Sequence, residues 1–377
     1  MALAANCIIL QNRTLNYLSL PLLKLRTTTQ YSKLIIFHSS SHFRPTNQCN
    51  SQIATISCVG KTTVTDADVQ VQNFNINSTT TSSWTEFVKN VSGEWDGYGA
   101  DFTSEGNPIE LPEFVVPEAY REWEVKVFDW QTQCPTDAQL EDLVMIYNSI
   151  KLLPTVGCEA DAATRYSIDE RNVGGVDNQV SAFAYQSSGC YVAIRQIEGP
   201  VTNKLLELEH CLISPKDKES RVRIIQVVNV DDAKIMLKNV KVYCEQWYGP
   251  FRNGDQLGGC ALRDPPFAST AAMDASEVVG VWQGPNAVAS FNSFDTNYIQ
   301  ELVDDSVRKS VRDESDLILL PKKLWCSLKE SENGETFCEV GWLFDHGCAI
   351  TSRCIFSTDA RLKEICIAQE TAILEGA

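Results

Sequence analysis

Short segments in which apolar residues alternate with polar ones, or form brief β-branched and aromatic runs, constrain this chain more than any other feature. Five follow one another at 180–186, 190–197, 205–213, 221–230 and 235–247. The breaks between them are short, among them Ser187-Ser188-Gly189, Glu198-Gly199-Pro200 and Asp231-Asp232. Strands this close in sequence pair as an antiparallel meander, because a parallel neighbour needs a crossover of a dozen or more residues. The rhythm returns at 278–282, 317–320, 324–329, 335–344, 349–357 and 362–370, with hairpin turns at Ser331-Glu332-Asn333-Gly334 and Asp345-His346-Gly347. Trp123, Val125 and Val127 alternate with Glu122, Glu124 and Lys126, which predicts one more strand. The stretch 139–153 fits either helix or strand. Antiparallel strands with few helices expose their edges unless the sheet rolls up, so the expected class is mainly all-β, two antiparallel β-barrels in tandem with short helices.

One helix is expected at the start of the ordered chain. Trp84, Phe87, Val88 and Val91 follow the spacing of one helix face, Ser83 is placed to cap it, and Gly93 ends it. Two copies of one pentapeptide then divide the molecule. Gly93-Glu94-Trp95-Asp96-Gly97 opens the first series of strands and Gly280-Val281-Trp282-Gln283-Gly284 the second. A Trp on a first strand can close the end of a small barrel, and the flanking glycines allow close approach of the chain, so Trp95 and Trp282 are the expected barrel-closing residues. Both also fit plain core packing. Gly254, Gly258-Gly259 and Pro265-Pro266 interrupt the strands between the copies. The organisation expected is a barrel at 84–251, a linker at 252–275 and a second barrel at 276–377.

Every residue before Asp66 is neutral or basic, and the segment is dense in Ser and Thr. Such a leader is expected to be a plastid transit peptide over residues 1–60, cleaved near 57–64 and followed by a disordered stretch at 61–83, which places the mature protein in the chloroplast stroma. The whole chain carries a net charge of -17, and an acidic surface repels phosphate backbones, so nucleic acid is not an expected partner. No stretch supplies the roughly 18 apolar residues of a membrane-spanning helix. The cysteines contain no C-x-x-C pair, and only His210 and His346 follow the leader. No zinc ribbon, thioredoxin-like motif or multi-histidine metal centre is therefore expected. Nucleophile-elbow, Walker and dinucleotide-binding glycine motifs are absent from the sequence.

The G-x-W sites followed by antiparallel strands resemble the opening of calycin (lipocalin-like) barrels. Over the last third of the chain, Glu339-Val340-Gly341-Trp342-Leu343, Ser352-Arg353-Cys354-Ile355-Phe356 and 365–370, ending in Glu370, are similar to the final strands of the S-type phycobiliprotein lyases. The first half, with Trp84, Gly93-x-Trp95 and Leu111-Pro112, resembles two-domain calycin relatives of unknown function. The resemblance implies a barrel able to hold an elongated or planar apolar molecule, a tetrapyrrole or derived pigment foremost, and, if the protein is an enzyme, a chromophore-lyase-like activity.

Arg353 shares a strand face with Ala349, Thr351 and Ile355, where a guanidinium can pair with a ligand carboxylate such as a bilin propionate. Glu370, on the next strand, can pair with Arg353 or polarise a ring nitrogen, and Trp342 and Trp325 can stack on a planar ligand. An ordinary cross-strand ion pair and ordinary core tryptophans fit the same residues. Acidic pairs such as Asp304-Asp305 and Asp313-Glu314 read as solvated loops. Three functions stay open: binding or handling of a small hydrophobic ligand, a non-catalytic assembly factor docking on a plastid protein complex, and a barrel enzyme using paired carboxylates. No cofactor is implied beyond a possible bound tetrapyrrole or other apolar pigment.

Overall fold

The computed structural model describes residues 78–156, 164–197, 204–255, 265–291 and 298–373. The leader, its cleavage region and residues 61–77 lie outside the described residues. A single helix leads into the strands: α1 (Ser78–Val91). It begins inside the stretch expected to be disordered, so Ser83 lies within the helix rather than capping it. Once Trp84 and Phe87 fix a turn, each further residue upstream adds a hydrogen bond at small cost, even among hydroxyl residues.

The strands of the first half are β1 (Glu94–Thr103), β2 (Asp129–Gln133), β3 (Thr136–Ala138), β4 (Met145–Leu152) and β5 (Arg165–Val173), with a short helix α2 (Glu118–Glu122) between β1 and β2. The meander follows as β6 (Ala182–Tyr185), β7 (Tyr191–Ile197), β8 (Lys204–Ile213), β9 (Ser220–Asp231) and β10 (Lys234–Gly249). In the second half come β11 (Gly280–Ser290), β12 (Ile299–Glu301), β13 (Val303–Arg312), β14 (Leu317–Leu320), β15 (Leu324–Glu330), β16 (Thr336–Asp345), β17 (Cys348–Phe356) and β18 (Leu362–Ala372).

These strands form two sheets. The larger runs β12-β6-β7-β8-β9-β10-β1-β2-β4-β3, with β5 on β4, and the smaller runs β13-β11-β18-β17-β16-β15-β14. In each, the strand that opens the half pairs with the strand that ends it, β1 with β10 and β11 with β18. That first-to-last pairing rolls the sheet, and the all-β, barrel-like class expected from the alternation is the class observed. Among the described residues neither ladder closes completely: in the smaller sheet β13 and β14 are the two free edges.

Two expectations are corrected. Residues 123–127 form no strand: Trp123 ends α2, Glu124 takes a left-handed φ of 54°, and no neighbouring strand pairs with them. Alternation is a surface pattern, and it becomes a strand only where a partner takes the backbone hydrogen bonds. Conversely, Asp304-Asp305 lie on strand β13, paired with β11, rather than in a loop, while Asp313-Glu314 do sit at the turn that follows.

The two sheets share one core. Leu208, Ile224 and Val228 of the first pack in the same apolar cluster as Cys326, Cys338, Val340 and Cys354 of the second. Gln226 Nε2 donates to the Ser327 carbonyl at 3.1 Å, and His210 Nδ1 lies 2.8 Å from Ser352 Oγ. The strand β12 leaves the second half to pair, in parallel, with β6 of the first sheet. The segment expected as a linker also packs inward: Phe267 is fully buried, and the Asp129 carboxylate accepts from the backbone N–H groups of Phe267 and Ala268.

The pentapeptide echo is a structural repeat. Trp95 and Trp282 are buried, and each indole donates to the carbonyl four residues before it, Val91 at 2.9 Å and Val278 at 2.7 Å. A guanidinium lies over each ring, Arg221 over Trp95 at 4.2 Å and Arg312 over Trp282 at 5.5 Å, in cation–π geometry. The second glycine of each copy presses on the last strand. A Cβ at Gly97 would meet the Cys244 carbonyl oxygen at 1.9 Å, and one at Gly284 the Gln369 carbonyl oxygen at 1.8 Å. Only glycine permits the first strand to lie that close to the last.

Candidate ligand-binding site

In the smaller sheet, lined by residues of both free edges, β13 and β14, and of β15, β16 and β17, a cavity of about 230 Å³ opens. Its walls are charged. Lys309, Arg312, Lys329 and Arg353 contribute four cations against the carboxylates of Asp316 and Glu339, with Val311, Leu317 and Phe337 supplying apolar surface. Register explains the arrangement. Trp325 and Ser327 pair with Gly341 and Glu339, and Glu339 pairs with Arg353, so these residues share the inner face of three adjacent strands.

Glu339 is the hub. One oxygen accepts from Arg312 Nε at 2.7 Å, and the other from Arg353 Nε at 3.1 Å and from Arg353 Nη2. Burial alone would raise its pKa, but Arg353 and Arg312 hold it down at about 2. Glu370 accepts from Arg312 Nη2 at 2.5 Å and from Ser310 Oγ at 2.7 Å. The expected Arg353–Glu370 pair is therefore replaced by two others, Arg353–Glu339 and Arg312–Glu370, because the closure of β11 on β18 brings Arg312 between the two carboxylates. Arg353 retains 24% side-chain exposure and lines the cavity, whereas Arg312 is almost fully buried, with no hydrogen-bond partner for its Nη1.

The tryptophans divide. Trp325 is fully buried beneath the site, with its indole N–H 3.4 Å from Glu339 Oε1 and the Arg312 guanidinium 5.2 Å from its ring. It supports the charged hub and does not line the cavity. Trp342 sits one residue out of phase with Gly341 and Leu343, and it packs into the shared core on the opposite face of β16. Stacking of either on a ligand in this cavity is not what the geometry provides. Trp95 and Trp282 take the buried positions described above.

Arg312, Lys309 and Glu339 were not singled out by the sequence. Glu339 carried a signal, a carboxylate in the inward phase of the strand Gly341-x-Leu343. Lys309 and Arg312 carried almost none, since their strand is poor in apolar residues and exposed for most of its length.

The first half answers the same plan with a filled interior. Gly97 pairs with Glu245 as Gly284 lies against Glu370, and Glu209 holds the place on β8 that Glu339 holds on β16. Glu209 accepts from five side chains: Tyr147 at 2.7 Å, Arg171 at 3.0 Å, Tyr191 at 2.9 Å, Arg195 at 2.9 Å and Arg223 at 3.2 Å. Burial would raise its pKa, and Arg195, Arg171 and Arg223 instead hold the carboxyl well below the usual range. All its lone pairs are taken, so this carboxylate has nothing left to offer a ligand. Among the described residues no group of His, Cys, Asp and Glu is arranged to hold a metal ion.

No protein-family model matches the chain, and no curated protein matches it. Among solved structures, the chain is similar to a protein of unknown function from the DUF3598 family of Nostoc punctiforme, with a TM-score of 0.46 and 12% identity, over 77% of this chain and 98% of that one.

Proposed function

We infer that the second half is a binding module for a small molecule with an apolar body and an acidic group, and that the acid is held at Arg353 beside Arg312. The observation that carries this reading is the cationic wall of the cavity: Lys309, Lys329, Arg312 and Arg353 line it with Asp316 and Glu339, and even with Glu370 pairing Arg312 from outside the lining, four cations stand against three carboxylates. The Arg353 guanidinium meets Glu339 through Nε and Nη2 and keeps part of its surface open to the cavity, where it can pair with a ligand carboxylate. Tetrapyrroles and related pigment acids, present in a plastid, are first among the ligands to test, in keeping with the likeness of 339–370 to bilin-handling strands. At about 230 Å³ the cavity is below the roughly 300–1,000 Å³ of whole-ligand pockets. It takes the acidic group and one ring, and the remainder lies along Leu317, Val311 and Phe337.

The reading is of a holder rather than a catalyst. Glu339 is ionised at any physiological pH and has no proton to give, and Glu370 is tied to Arg312 and Ser310. Titration of the protein with a bilin, a chlorophyll catabolite, a carotenoid and the methyl ester of the bilin tests the idea. Free acids are expected to bind best, and Arg353→Gln to weaken them by about one to two decades, since a charge-assisted bond is worth about 1.5–3 kcal/mol. Glu339 keeps Arg312 in that variant, so a melt is expected to show it folded. Equal affinity for acid and ester, or a folded Arg353→Gln that binds like the parent, sinks the proposal.

A further inference from the structure

A second feature, far from the cavity in sequence, is the loop joining β1 to β2. Its ends are tied by the Leu111 N–H to the Val127 carbonyl at 2.8 Å, and it folds on its own small core of Leu111, Val115, Val116 and Tyr120 against Trp130. Pro112 and Pro117 start its two short helical turns, and the Tyr120 hydroxyl donates to the Thr155 carbonyl at 3.0 Å. On this fixed support two large aromatics face outward, Phe114 at 78% exposure and Trp123 at 61%, with Val125 at 47%. Glu124, at its left-handed φ, makes the turn that ends α2 directly after Trp123. Such a conformation is uncommon outside Gly, Asn and Asp and is held only where its surroundings require it.

Exposed aromatic anchors on a rigid loop are what binding hot spots look like before the partner arrives. The charge around them selects the partner. Glu105, Glu110, Glu113, Glu118, Glu122 and Glu124 stand on the loop against only Arg121 and Lys126. Anionic surfaces, whether lipid or nucleic acid, are repelled by that excess. We propose that this loop is a docking surface for a basic segment of another protein, with Phe114 and Trp123 entering its aliphatic side chains and the glutamates facing its Lys and Arg.

The probe is a labelled 20-residue amphipathic peptide of Lys and Leu, followed by anisotropy with the full chain. Binding is expected for the parent, with a loss of about tenfold or more in Trp123→Ala and in Phe114→Ala, since truncating a hot-spot aromatic has effects of that order. The triple change Glu113→Gln, Glu118→Gln, Glu122→Gln is expected to weaken binding and flatten its salt dependence. Asp304→Asn with Asp305→Asn, on β13, removes charge elsewhere and should leave binding unchanged. The proposal is overturned if the parent does not bind, if Trp123→Ala binds as the parent does, or if the β13 variant loses as much as the loop variant. It is also overturned if zwitterionic phosphatidylcholine vesicles, and not the peptide, bind in a Trp123-dependent way. Arg353→Gln leaves this binding intact, which separates the two sites.

Discussion

Glu209→Gln is expected to destabilise the protein by about 3–5 kcal/mol, the cost of stranding buried charge when one member of a paired cluster is removed. Four guanidiniums, those of Arg171, Arg195, Arg221 and Arg223, are buried against the three buried carboxylates of Glu207, Glu209 and Glu245. Without Glu209 they share two. Arg195 loses its one carboxylate contact, keeping its bond to the Tyr147 hydroxyl, and the Tyr147 and Tyr191 hydroxyls lose their charged acceptor. The glutamine amide restores one acceptor oxygen but brings an N–H₂ toward guanidiniums that can only donate. Calorimetric or fluorescence melts should show a fall of roughly 6–20 °C, at about 2–4 °C per kcal/mol for a domain of some 150–250 residues. Lys216→Ala is the contrast: its pair with Asp345 joins the two halves, but both groups are half exposed, and the change is expected to stay within about 1 kcal/mol. A Glu209→Gln protein melting with the parent would show that the cluster is not the keystone of the first half.

Acid is expected to act through His210. Its ring is fully buried between the sheets, and burial pushes its pKa down to about 3 against the opposing pull of Glu209 and Gln226. Between pH 6.5 and 3 the unfolded chain binds a proton that the folded chain refuses. The contribution of His210 to stability therefore rises with pH across that window and falls as pH drops, at about 1.4 kcal/mol per unit. The contribution is complete above pH 6.5 and, summed to pH 3, amounts to about 4–5 kcal/mol.

Asp96 works in the opposite direction, because burial and the neighbouring Glu94 push its pKa up to about 7, so the folded form holds a proton between about pH 4 and 7 that the unfolded form lacks. The two slopes offset each other in the parent, whose profile should be nearly flat there. His210→Gln exposes the difference. The stability of the parent minus that of the variant should fall by about 2 kcal/mol from pH 6.5 to 5, before most carboxylates titrate. Parallel profiles for the two proteins would contradict a neutral buried His210.

The period of two in the sequence determined the strands of the meander and of 324–370, the hairpin at Gly347, and the twin tryptophans, because side-chain alternation and turn chemistry are local properties. It also determined which strand face Arg353 occupies. What it did not determine was which alternating segments find a partner. Trp123–Val127 has the pattern and no strand to pair with, and β13 has a paired strand and little pattern. The site depends on the same distinction. Glu339 and Arg353 face each other across one hairpin, within reach of a local argument once the register is counted from the turn. Arg312 reaches Glu370, 58 residues away, only because β11 closes on β18. His210 is neutral because another sheet covers it. Local residues fix the phase of a strand, but long-range pairing fixes its neighbours, and the charge of a buried group depends on those neighbours and on how much water they exclude.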